Sequence, residues 1–143
     1  MQSNVLSDSQ YFNMFKRPDI STYDFFRMFF AQLILSRSYS FPKEIAAEIY
    51  KLKNTRKFDN LLKEITFKNN KVFVYSNEVE DAINEFQTLG VLNKSTTTDE
   101  NFYINMDEGC AKHMLGEYKQ VFQNMIKQFT DDFLKGLSTK EDD

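Results

Sequence analysis

A single cysteine, Cys110, leaves the chain without any intrachain disulfide, so its core must hold by packing alone. That usage fits a reducing compartment. There is one histidine, His113, and no tryptophan. A structural zinc site takes four ligands, usually several Cys or His. Cys110 and His113, with Asp107 and Glu108 beside them, fall short of that set, so neither a metal nor a cofactor is expected. No glycine-rich phosphate loop, nucleophile elbow or HExxH occurs. Cys110 and His113 share one helix turn and lack an orienting third group, so nucleophilic catalysis is not expected and the protein reads as a non-enzyme. Four Gly and two Pro allow few tight turns and favour helices. The most apolar run, Phe25–Leu35, is interrupted by Arg27 and Gln32, whereas a membrane span needs about 20 apolar residues. No basic residue precedes Lys16, so a signal-peptide start is missing. The expectation is a soluble, cytoplasmic protein without a membrane partner.

Aromatics, by contrast, are plentiful: fifteen Phe and seven Tyr in 143 residues. At 41% apolar and 27% charged, the chain has enough apolar material for one domain core. Charge is uneven. Residues 1–75 hold 12 Lys/Arg against 7 Asp/Glu, and residues 76–143 hold 6 against 14. Such asymmetry marks partners of opposite sign or the ordinary solvated faces of a helical bundle.

Residues 1–20 read as an arm with docking aromatics Tyr11, Phe12 and Phe15, closed by Pro18. Ser21 or Thr22 caps a helix to about Ser38, apolar on nearly every side and therefore central. Phe41-Pro42 breaks the chain, with Pro42 suited to the first turn of the next helix, which runs to about Lys53. A further helical segment covers Lys57–Thr66, residues 67–70 form a turn, and Lys71–Tyr75 reads as a strand. Ser76 or Asn77 caps an acidic helix with an inward face of Val79, Ala82, Ile83, Phe86 and Leu89, closed by Gly90. Val91–Met106 alternates about a polar tip as a hairpin. One long helix then spans about Cys110–Leu137, and residues 138–143 form an acidic tail. The expected core includes Phe29, Phe30, Leu33, Ile45, Ile49, Leu62, Ile83, Phe86 and Leu89.

The exit Leu89-Gly90-Val91-Leu92, the polar tip, and Phe102–Gly109 leading into a helix resemble a winged-helix domain over residues 22–109. The resemblance implies a mainly α fold with a small antiparallel β-hairpin, here extended by a long C-terminal helix over 110–137. It also implies that the helix before the hairpin faces DNA. That helix carries Glu78, Glu80, Asp81 and Glu85 and no cation, so phosphate would repel it and no Arg or Lys is offered to a guanine edge. The hairpin tip offers Lys94 against Asp99 and Glu100. The strand before the acidic helix departs from the family, which usually has a helix there.

Two surfaces remain. The stripe Tyr118, Phe122, Met125, Phe129 and Phe133 looks long enough to leave an apolar end uncovered, suited to a protein partner or a homodimer. Lys51, Lys53, Arg56 and Lys57 put four cations in seven residues, a possible nucleic-acid contact. The first reading is a docking or accessory subunit; acidic winged-helix subunits of this kind resemble parts of complexes built on SMC-like or ABC-type ATPases. The second is a DNA-binding regulator, or a plasmid or phage partition protein, dimerising through its last helix. A third is a small all-helical structural or inhibitory protein whose hairpin is incidental.

Overall fold

The computed structural model describes residues 20–69, 73–94 and 101–141. The arm residues Tyr11, Phe12 and Phe15 lie outside that range. The described chain is mainly helical, with a small antiparallel sheet and a long C-terminal helix.

Helix α1, Thr22–Leu35, starts at a capping box. The Asp24 amide donates to the Ser21 hydroxyl at 3.1 Å, and the Asp24 carboxylate accepts from the Ser21 amide at 3.4 Å. These bonds satisfy amides that a helix start would otherwise leave open. Phe25, Phe26, Met28, Phe29, Phe30, Ala31 and Leu33 are all fully buried, as a helix apolar on every side should be. The helix ends at Leu35 and not near Ser38. There the Ser38 amide reaches back to the Leu33 carbonyl at 2.8 Å, and Arg37 adopts φ 61°. A side chain pays roughly 1–2 kcal/mol for that left-handed backbone. Arg37 is exposed. Arg37→Gly should therefore raise stability by about 0.5–1 kcal/mol after the added unfolded-state entropy is subtracted. A lowered denaturation midpoint would show that Arg37 makes contacts worth more than its strain.

Strand β1, Ser40–Pro42, takes Pro42 out of the next helix, where it was expected. It pairs antiparallel with β5, Asn101–Ile104, matching Phe41 to Phe102 and Pro42 to Asn101. As an edge strand it tolerates the missing proline donor. Strand β4, Leu92–Lys94, lies on the other side of β5, so the sheet order is β1-β5-β4. The expected hairpin is present as β4 and β5; β1 was not foreseen. The inner sheet face, Phe41, Leu92, Phe102 and Ile104, covers α1, with Phe30 stacked on Phe41 at 5.3 Å.

Between β1 and β4 come α2, Ile45–Asn54; α3, Asp59–Leu62; strands β2, Lys68–Asn69, and β3, Val74–Tyr75; and α4, Asn77–Thr88. Helix α3 is shorter than the expected 57–66 segment. Part of the expected 67–70 turn is β2, which pairs with β3. Ser76 caps α4, accepting from the Val79 amide at 3.2 Å, and Gly90 ends it at φ 80°. Val79, Ala82, Ile83 and Phe86 face the core as expected, but Leu89 is 57% exposed and is not a core residue. The register explains this: Leu89 is the C-cap, past the last turn that touches α1.

The expected continuous last helix is two. Helix α5, Glu108–Gly116, ends at a glycine, and α6, Gln120–Glu141, begins after Tyr118. Both pack on α1, and α6 also packs on α2 and α3. Gly136 allows the α2 contact. A Cβ there would stand 2.9 Å from a carboxylate oxygen of the buried Glu48. One core cluster holds side chains from every helix.

Candidate functional site

The aromatic stripe of α6 turns inward. Tyr118, Phe129 and Phe133 have no exposed surface and Phe122 is buried; only Met125 is half-buried. Phe129 meets Phe25 at 5.1 Å, Phe58 at 5.2 Å and Phe29 at 5.4 Å, mostly edge to face. Phe133 meets Phe29 at 4.9 Å. The expected uncovered end is therefore corrected: this stripe serves the chain's own core and not a partner. The cause lies in α1, whose all-round apolar surface needs a long helix to cover it. The outward face of α6 carries Gln120, Asn124, Lys127, Gln128, Asp131 and Lys135, with Val121 its one large exposed apolar side chain.

The four cations of the 51–57 segment are each engaged. Lys51 pairs with Glu48 at 3.3 Å, Arg56 with Asp59 at 3.1 Å and Lys57 with Asp132 at 3.0 Å. Lys53 donates to the Ile65 carbonyl, and its ammonium stands 5.6 Å above the Phe67 ring. The Arg56 and Lys57 pairs are exposed, and such pairs are worth about 0–1 kcal/mol, so they add little stability. They do oblige an incoming phosphate to displace carboxylates, which weakens the nucleic-acid contact expected here.

The outward side of α4 keeps its acidic character. Glu78 accepts from the Thr66 amide at 2.9 Å and from the Thr66 hydroxyl, which hold its carboxyl below the usual range. The Glu80 carboxylate beside Tyr75 pushes that phenol up. Asp81 and Glu85 are exposed.

A polar cluster that periodicity could not reveal joins α1 to the α5–α6 junction. The Tyr118 hydroxyl donates to Asp24 at 2.7 Å, and Arg27 donates to the Tyr118 oxygen at 3.4 Å. Arg27 is also paired with Glu117, whose carboxylate raises the guanidinium pKa. Burial first, and then the bond to Asp24, push Tyr118 up to about 12. These groups answer one another's hydrogen-bonding needs, which marks a structural clamp.

One recess has an apolar floor and two lysines that no carboxylate pairs with among the described residues. A cavity of about 230 Å³ opens between α4, β3, the start of α2 and the β4–β5 strands. Val79, Ile83, Ala46 and Phe102 line it, with Lys43, Lys94 and Glu80 at its rim. No family model, curated protein or solved structure matches the chain. Among the described residues, no three His, Cys, Asp or Glu side chains group to hold a metal ion. Cys110 and His113 are both exposed on α5. No described helix is long and apolar enough to cross a membrane.

Proposed function

We propose that the protein is a non-enzymatic docking subunit built on a winged-helix-like scaffold and that it acts through protein contacts. The observation that carries this is the sheet order β1-β5-β4, with α1 before β1, and α2 and α4 before β4. A winged helix has that order of elements. The segment holding α3, β2 and β3 is an insertion between its second and third helices. The helix that would face DNA, α4, instead carries Glu80, Asp81 and Glu85 without a cation. The scaffold then serves as an accessory unit of a larger cytoplasmic assembly, of the kind built on SMC-like or ABC-type ATPases. The DNA-binding alternative needs a free α6 stripe for dimerisation and free cations at 51–57, and both are occupied within the chain.

The test is a fluorescence-anisotropy titration of labelled duplex DNA at about 50 mM salt, where phosphate contacts are strongest. No saturable binding is expected. Submicromolar affinity that falls steeply with added salt would overturn the docking reading.

A further inference from the structure

We propose that the recess between α4 and the β4–β5 strands is the docking site, and that it takes an acidic, apolar segment of another protein. This rests on the docking reading and adds the chemistry of the partner. Val79, Ile83 and Phe102 turn most of their surface into the core, yet their outer edges floor the cavity beside Ala46. Such a floor favours one large apolar side chain as anchor, since an apolar group gains most by leaving water.

The rim decides the sign of the partner. Lys43 and Lys94 are exposed, and no carboxylate pairs with either among the described residues. The Lys94 ammonium stands 5.9 Å above the Phe102 ring, so its charge lies directly over the floor. The lining holds one carboxylate, Glu80. Two lysines against one carboxylate leave the lining with a net charge of +1 on a chain of net charge −3. A carboxylate entering beside the anchor would meet both lysines. A basic segment would meet two like charges, and complementarity of this kind selects partners and speeds encounter. Neither end of the chain has the composition of that occupant. Its acidic end has no large apolar residue after Leu137, and in residues 1–19 Lys16 and Arg17 balance Asp8 and Asp19, so the aromatic arm has no net acidity.

The experiment uses the full chain labelled with ¹⁵N and two blocked decapeptides. One holds a Phe and two Leu among Glu residues; the other has Lys for every Glu. The acidic peptide is expected to shift the amides of Ala46, Ile83 and Phe102 and to bind at least about tenfold more tightly than the basic one. Lys43→Glu/Lys94→Glu should invert that preference, and Lys43→Gln/Lys94→Gln should abolish it. Two independent variants guard against loss of fold in either one, and a thermal melt checks each. Equal binding of both peptides, shifts confined to other surfaces, no shifts up to millimolar peptide, or a preference unchanged in both variants would overturn the proposal. So would a concentration-dependent dimer in sedimentation that the charge reversal dissolves, since the occupant would then be a second copy. Failure of the peptides while DNA still goes unbound removes the recess and leaves the docking reading. DNA binding removes the docking reading itself.

Discussion

Phe129→Ala is expected to lose about 3–5 kcal/mol of folding stability, the range for deleting a fully buried Phe ring. Phe129 has no exposed surface and lies where α1, α3 and α6 meet, against Phe25, Phe29, Phe58 and Phe133. Removing it takes the apolar area and also several edge-to-face contacts, each worth about 0.5–1.5 kcal/mol beyond burial. Urea unfolding gives the measurement, with Leu89→Ala as the control. Leu89 is 57% exposed, and its truncation should stay within about 0.5 kcal/mol. The contrast separates two roles for α6. A core helix loses stability on Phe129→Ala at any protein concentration. A partner helix would keep its monomer stability and lose assembly instead. A loss below about 1 kcal/mol would mean that the α6 stripe does not pack as described.

The elements most legible in the sequence were those set by local rules. Capping residues narrowed the start of α1 to Ser21 or Thr22 and that of α4 to Ser76 or Asn77, and Gly90 marked the end of α4. Alternation about a polar tip placed β4 and β5. The residues missed depended on distant partners. A three-residue strand containing Pro42 has no period to detect, and β1 exists because Phe41 completes the cover of Phe30 and pairs with Phe102. The break between α5 and α6 was hidden because Tyr118 continues the apolar spacing. Its ring is buried like its neighbours', but its hydroxyl has to reach Asp24, 94 positions earlier. The α6 stripe was read correctly as apolar. Its destination was missed, because periodicity says which face is dry and not what keeps it dry. The recess rim was illegible for the same reason: Lys43 comes from the β1–α2 turn, Lys94 from β4 and Glu80 from α4.

That Tyr118–Asp24 contact carries the second large effect. Asp24 is 3% exposed and accepts at once from the Tyr118 hydroxyl and from Ser21 in the capping box. Asp24→Ala removes the reciprocal half of the capping box, leaves the Ser21 cap in place, and strands a buried hydroxyl at a cost of about 1–3 kcal/mol. A loss of about 3 kcal/mol is expected. Tyr118→Phe keeps the ring and should cost less, about 1.5–3 kcal/mol, since it removes one bond to a charged group. The double variant should cost less than the sum, because Tyr118→Phe removes the donor that Asp24→Ala would strand. The pH dependence supplies the sharper test. Burial and Asp24 push the folded Tyr118 pKa to about 12, against an ordinary value near 10. A raised folded pKa means that folding favours the neutral phenol. That stabilisation is complete below about pH 10 and is lost as pH rises through the folded value, by about 2–3 kcal/mol in all. Other tyrosines also titrate in this window, so the wild type must be compared with Tyr118→Phe at each pH. The advantage of the wild type over Tyr118→Phe should shrink between about pH 10 and 12. A stability difference that stays flat from about pH 9 to 12 would show that the phenol is not held neutral by its surroundings, and that the clamp between α1 and the α5–α6 junction is not built as argued.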